Sequence, residues 1–277
     1  MRYIELHLFR VKFIRPVQME LLADMRTSSE LFHDTLREKP SAELRNGFLW
    51  HIGNIVQIDD NGGAFAIGRT TSTTLSKYDE EQGNFVEEDS EESPYTICLY
   101  DLQIGFVAIM KKTKLSPKTE GIASQLAKLL NQSSAAMTNK IEVRIDEISD
   151  PLGFIARIQS ARFIKRFSAH FTGPNPFDAD ELFQKPLSVY CQAVKGETGK
   201  VVVEGDSLDA DTATAVTRSV AATGNEASAR IIEHEGSRAR NIYLKGDHAK
   251  CTFHEDEFTP ADGLAAARKE YQRVRSA

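Results

Sequence analysis

The sequence predicts an α+β protein with mixed, largely antiparallel sheets and packed helices. Three observations carry that expectation. Apolar runs of strand length, separated by turn residues, recur from Phe48 to Met110. From Ile141 onward strands and helices interleave and then close in a meander of short strands. The stretches with helical apolar spacing start mostly at their own punctuation, as at Ser116-Pro117, Asp150-Pro151 and Thr259-Pro260. With 277 residues the chain has room for two parts, a β-rich N-terminal region over 1–139 and an α/β sandwich with a C-terminal helix over 140–277.

Ile4 to Ile14 alternates as a strand, with Ile4, Leu6 and Leu8 on one face and Pro16 closing it. A helix is expected next, since Leu21, Leu22, Met25, Leu31, Phe32 and Leu36 fall at helical spacings before Lys39-Pro40. The strands FLWHIGNIVQID and AFAIGRTT flank Asp59 to Gly63, whose Asn-Gly pair is a hairpin signal. TICLYDLQ and GFVAIMKK form the next pair. Ser116 is expected to cap a helix that has Pro117 at its first position and Ile122, Leu126, Leu129 and Leu130 as its stripe. After the polar connection Asn131 to Asn139, IEVRIDEI reads as a strand. Asp150-Pro151 then opens a short helix carrying Phe154, Ile155 and Ile158.

ARFIKRFSAHF is a basic strand ending at the turn Gly173-Pro174-Asn175-Pro176. KVVVEGDSLD runs as a strand into a helix over Asp211 to Ala222, with Gly224 just past its end, and ASARIIEH, NIYLKG and AKCTFHE are the last strands. Thr259 caps a terminal helix with Leu264, Ala267, Tyr271 and Val274 on one side. Cys98, Cys191 and Cys251 each stand in an apolar, strand-like context and read as buried small hydrophobes.

The net charge of −6 is concentrated in Tyr78 to Ser93 (YDEEQGNFVEEDSEES), which holds eight acids and no base. Elsewhere 32 acids stand against 34 bases, so an acidic composition does not exclude nucleic acid as a partner. The acidic segment is expected to be a solvated loop or ragged hairpin end, the least ordered part of the chain, with Gly83-Asn84 as its turn. The N-terminus lacks the continuous apolar stretch of a signal peptide, and the longest apolar run, Ile104 to Met110, is too short to span a bilayer. A soluble cytoplasmic protein without a membrane partner is expected, with self-association left open.

The enzyme reading rests on His248, Lys250 and Glu255. Phospholipase D-like enzymes use a histidine nucleophile, a lysine two residues on that binds phosphate, and an acid further along, and strand alternation would put His248 and Lys250 on one face. A metal site is not expected, because His248, Cys251 and His254 are spaced by three along one strand and fall on alternate faces, with His234 farther away. No cofactor is expected either, since no glycine-rich phosphate loop is present. The acidic groups Asp146, Glu147 and Asp150, and Glu204, Asp206 and Asp209, stand at strand ends where metal-dependent chemistry would need them, yet Asp150, Asp206 and Asp209 also suit helix capping.

Nucleic-acid binding has the more distributed support, from Arg157, Arg162, Lys165, Arg166 and His170. Alternation would place Phe163, Lys165, Phe167 and Phe171 on one face of the strand and Arg162, Arg166 and His170 on the other. Arg238, Arg240, Lys245 and the bases of the terminal helix would extend the patch.

YDEEQGNFVEED, TICLYDLQIGFVAI, the GPNP turn and VVVEGDSLDADTATAVTRSVAATGNEASARI together resemble uncharacterised bacterial families encoded near mobile elements and anti-phage defence genes. The resemblance implies a defence-related role and transfers no functional residue. The preferred expectation is therefore a non-enzymatic component of such a system that binds nucleic acid or a protein partner. The alternatives are a nuclease or other phosphodiesterase, and a structural subunit whose acidic segment and terminal helix contact neighbours.

Overall fold

The computed structural model describes residues 3–14, 26–44, 47–172, 181–246 and 248–276, apart from the side chain of Gln192, and has the expected α+β fold. The GPNP turn and the start of the helix anticipated from Leu21 lie outside the described residues. In chain order the elements are β1 (Tyr3–Ile14), α1 (Ser28–Arg37), β2 (Ser41–Glu43), β3 (Leu49–Gln57), β4 (Gly62–Asp79), β5 (Asn84–Glu92), β6 (Tyr95–Asp101), β7 (Phe106–Met110), α2 (Thr119–Asn131), α3 (Ser134–Thr138), β8 (Glu142–Glu147), α4 (Leu152–Ser160), β9 (Phe163–Thr172), α5 (Gln184–Ala193), β10 (Thr198–Glu204), α6 (Ala210–Ala222), β11 (Ala227–Ile232), β12 (Arg240–Tyr243), β13 (Lys250–His254) and α7 (Pro260–Ser276).

A nine-stranded antiparallel sheet has the order β13-β1-β7-β6-β4-β3-β2, with β8 also on β1 and β5 on β4. A second sheet runs β10-β9-β11-β12. One face of the large sheet, with Phe9, Val11, Ile67 and Val107, packs against Phe32 of α1 and Ile122, Leu126 and Leu129 of α2. Its other face, with Leu6, Leu8, Leu99 and Ala108, shares a core with Phe154 and Ile158 of α4, Val220 of α6, Tyr271 of α7, and the inner face of the small sheet. The layers are thus helices, large sheet, helices, small sheet. The boundary anticipated at residue 139 does not divide the sheets, because β8 and β13 both pair with β1.

β1, flanked by β7 on one side and by β13 and β8 on the other, is buried on both faces from Leu6 to Ile14, beyond the one-faced alternation of Ile4, Leu6 and Leu8. Its charged residues Arg10 and Lys12 are inside. Arg10 Nη1 donates to the Tyr271 hydroxyl at 2.9 Å. Lys12 pairs with Asp146 at 2.7 Å.

Several local expectations are resolved or corrected. Tyr78 to Ser93 is the hairpin end of the two alternatives, a β-ribbon, and not a loop: Thr71–Asp79 of β4 pairs in register with Asn84–Glu92 of β5 around a turn at residues 80–83. The Ser/Thr-rich strand opposite places no acid directly across from any acid of the ladder, and Asp79 itself faces Asn84. α2 begins at Thr119, so Ser116 and Pro117 precede it, and its cap residue Lys118 offers no side-chain acceptor. Cys191 lies in α5, whereas Cys98 and Cys251 are in strands. Burial pushes the Cys251 thiol up to about 12, so it is not a reactive thiolate.

Two glycines are obligatory. A Cβ on Gly63 would lie 2.3 Å from the Val56 carbonyl oxygen across the β3–β4 hairpin, and Gly224 holds φ at +63° just past α6.

α7 is stapled to the sheet by Arg268. Its Nε donates to Asp101 Oδ2 at 2.6 Å and its Nη2 to Asp59 Oδ1 at 3.1 Å. The Asp101 carboxylate is almost wholly buried, so Arg268→Ala leaves it without a counter-charge, with the Ile104 N–H still donating to Oδ1 at 2.8 Å, and is expected to cost about 2 kcal/mol at neutral pH. The guanidinium beside Asp59 holds that carboxyl down to about 2, against 3.8 ordinarily. A depressed carboxyl stabilises the fold above its unfolded value and loses that contribution as pH falls through its folded value. The stability gap between wild type and Arg268→Ala, measured by urea unfolding, should therefore be full at pH 7 and narrow between about pH 4 and about pH 2.

Candidate functional site

Two surfaces gather chemistry, on opposite sides of the layered molecule. The first lies where β1 changes neighbours along one edge. β13 pairs with Tyr3–His7 and β8 with Phe9–Ile14, and the two meet at Leu8. There Leu8 N donates to Ala249 O, Ile148 N to Leu8 O and Ala249 N to Ile148 O, at 2.9 to 3.1 Å. This junction sets His248, just before β13, beside Glu147, the last residue of β8. The His248 ring lies 4.7 Å from that of His7 and 5.9 Å from that of Phe9, on the face covered by α2, whose first turn supplies Glu120.

His248 Nε2 is 3.3 Å from Glu120 Oε1 and its Nδ1 is 3.1 Å from Glu147 Oε1. Burial, partly opposed by His248, leaves the Glu147 carboxyl above its ordinary range. Glu120 feels burial too, but its backbone hydrogen bond and His248 hold it below that range. Burial and His248 push His7 down, and its Nδ1 shares a 3.0 Å hydrogen bond with Thr119 Oγ1. A cavity of about 340 Å³ between α2 and β8 is lined by Phe9, Glu120, Ser124, Arg144, Asp146 and Glu147.

Lys250, opposite His7 in the ladder, shares its face, but its ammonium bonds Glu5 Oε1 at 3.3 Å. Burial acts to raise the Glu5 carboxyl, yet hydrogen bonds from Lys111, Lys250 and His7 hold it at about 2. Glu255 lies in an exposed 3₁₀ turn after β13, and no hydrogen bond or ion pair joins it to His248 or Lys250 among the described residues. The acids that meet this histidine come instead from β8 and α2, far away in sequence. Cys251 falls on the opposite face of β13, His254 stacks on Tyr3 with centroids 4.5 Å apart, and His234 belongs to the β11–β12 turn. Asp209 caps α6 by accepting from Thr212 N at 2.7 Å, while Asp150 accepts from Leu152 N and pairs with Arg273.

The second surface is the outer face of the small sheet. β9 does not keep strict alternation. Arg166 pairs with Arg230 but Ile164 with Ile231, so Lys165 is the extra residue of a β-bulge. The bulge puts Ile164 into the core with Phe167, Ala169 and Phe171 and leaves Phe163 37% exposed. Arg162 and Lys165 lie 5.5 and 5.3 Å from the Phe163 ring centroid. This corrects the placement of Phe163 and Lys165 with the core phenylalanines.

Arg166 and His170 do project to the outer face, while Arg157 is exposed on α4 in the helical layer. Three of the anticipated bases are paired with acids: Arg162 with Glu235 at 2.8 Å, Lys165 with Asp206 at 3.7 Å and Arg166 with Glu204 at 3.4 Å. Of the terminal-helix bases, Arg268 and Arg273 are engaged with Asp59, Asp101 and Asp150.

Register adds residues that the linear pattern did not single out. Lys200 lies opposite His170, and Arg230 opposite Arg166. Val202, Ser168, Ser228 and Tyr243 form a row across four strands. Tyr243 is 54% exposed, with Lys245 Nζ 5.8 Å from its ring centroid. Ser168, His170, Lys200, Ser228, Tyr243 and Lys245 line a depression of about 180 Å³, with Glu226 at its rim. Lys200, Arg230 and Lys245 form no ion pair among the described residues, so they are available to anions.

The acidic ribbon presents a different face. Glu87, Asp89 and Glu91 share one side with the Tyr78–Phe85 pair, whose rings are 5.1 Å apart, and no cation pairs with those acids among the described residues. Among the described residues no helix is long and apolar enough to cross a membrane. The chain matches no protein-family model and no curated protein.

Proposed function

We propose that this protein is a cytoplasmic nucleic-acid-binding component that holds single strands on the outer face of its small sheet. Following the resemblance of its segments to bacterial families near defence genes, we assign it to an anti-phage or mobile-element system. The observation that supports the binding role is Tyr243, an exposed aromatic on a sheet face that no helix covers among the described residues, set among Lys200, Arg230, Lys245 and His170. An exposed aromatic offers a stacking platform to any base, and flanking cations neutralise the phosphates on either side. Four permanent cations on this face, Arg166, Lys200, Arg230 and Lys245, stand against Glu204 and Glu226. A flat sheet presents no helix to a duplex major groove, so unpaired strands are the better ligand.

The test is binding of the full chain to labelled single-stranded RNA, single-stranded DNA and duplex DNA over a salt series. Wild type should prefer single strands. Tyr243→Ala should lose about tenfold in affinity, the value of one stacked base, while keeping the salt slope. Equal affinity of the variant, or preference for duplex, would sink the assignment. Absence of any strand binding would instead favour a basic protein partner on the Glu87, Asp89 and Glu91 face of the ribbon.

A further inference from the structure

The geometry points to a divalent transition-metal site formed by Glu120, Glu147 and His248. The three residues come from α2, β8 and the segment before β13, and each offers one ligand atom within 4.8 Å of the other two. Ligands of a tetrahedral ion held at about 2.1 Å stand about 3.4 Å apart. His248 Nδ1 stands 3.1 Å from Glu147 Oε1, close to that spacing, while Glu120 Oε1 stands 3.3 Å from the other ring nitrogen, Nε2, so an ion held on Nδ1 requires the 40% exposed Glu120 side chain to swing toward it.

A second observation concerns His248 Nδ1. This atom is shut off from water and makes no hydrogen bond, although Glu147 Oε1 lies within ion-pair reach. A buried ring nitrogen is normally satisfied, and here its geometry is wrong for donating to the carboxylate. A cation shared between a nitrogen lone pair and the carboxylate oxygens supplies what the protein leaves out. One imidazole with two carboxylates suits Zn²⁺ or Mn²⁺ better than Mg²⁺ or Ca²⁺, which favour all-oxygen shells.

Three protein ligands leave at least one position open. Glu120 and Glu147 also line the cavity of about 340 Å³ between α2 and β8, so that position faces a space able to hold water or a small ligand. His7, packed on His248 and bonded to Thr119, fixes the orientation of the ring from behind.

The purified full chain would be stripped with chelator and titrated with Zn²⁺, and separately with Co²⁺ to read the visible absorption of the bound ion. About one ion per chain is expected, with Glu147→Gln and His248→Gln losing at least tenfold in affinity and Glu120→Gln doing the same from a position 40% exposed, where misfolding is not a concern. Melting temperature would be recorded for each metal-free variant, and the Zn²⁺-induced rise seen in wild type should vanish in Glu120→Gln. If Zn²⁺ binds wild type no better than Glu120→Gln and Glu147→Gln, or no ion is retained, His248 is only an ion-paired side chain and the metal site is refuted.

Discussion

Asp146→Ala is expected to destabilise the protein by about 3 kcal/mol at neutral pH, because it leaves the Lys12 ammonium buried without a counter-charge. Lys12 has a side chain 5% exposed and lies 2.7 Å from Asp146. Its other partners are neutral, Thr172 Oγ1 at 3.3 Å and Asn225 Oδ1 at 3.1 Å, so they soften the loss without replacing the anion. These contacts tie β1 of the large sheet to the end of β9 and the α6–β11 turn, so the cost falls on the joint between the layers. Lys12→Met should cost much less, within about 1 kcal/mol of wild type. Thr172 and Asn225 then satisfy each other through their own 2.8 Å hydrogen bond, and Asp146, 37% exposed, can hydrate.

Alkaline pH separates this account from a packing defect. Burial lowers the Lys12 pKa from its ordinary 10.5 and Asp146 raises it, so removing Asp146 lowers it further. A lysine with a depressed folded pKa lets the unfolded state bind more protons, so stability rises with pH between the folded value and 10.5. The deficit of Asp146→Ala should therefore shrink as the pH approaches 10.5, as read by urea midpoints at pH 7 and near pH 10. A deficit that stays constant would mean that the loss is not electrostatic.

Reversing Lys200, Arg230 and Lys245 to glutamate should lower single-strand affinity by about a hundredfold or more at low salt and flatten the salt dependence. Each phosphate contact on a single strand contributes about 0.7 to the slope of log affinity against log salt, so losing three removes about 2. All three side chains are exposed and form no ion pair among the described residues, so unfolding midpoints should hold. Reversing Arg162, Lys165 and Arg166 should do less, because each already faces an acid at 2.8 to 3.7 Å. The opposite ranking would move the contact surface to the start of β9.

Much of the fold is written locally. Asn61-Gly62 marks the β3–β4 hairpin, Ile122, Leu126, Leu129 and Leu130 mark the buried stripe of α2, and Asp209 and Thr259 stand at the starts of α6 and α7. Turn chemistry, helical periodicity and capping act within a few residues, so they survive without knowledge of neighbours. The face shared by His248 and Lys250 follows from alternation in the same way. The acids that meet His248 do not, because Glu120 and Glu147 reach it only through the change of partner along β1.

The sequence by itself determined the α+β class, most element positions and the basic character of β9. Only the tertiary structure decided that the acidic segment is a ribbon, that Lys165 is bulged and Phe163 exposed, that Tyr243 and Lys200 join His170, and that two distant glutamates flank His248. The reason is physical: local propensity acts along the chain, whereas register, bulges and strand neighbours depend on pairing between segments far apart in it, and a one-residue change in pairing turns side chains to the other face.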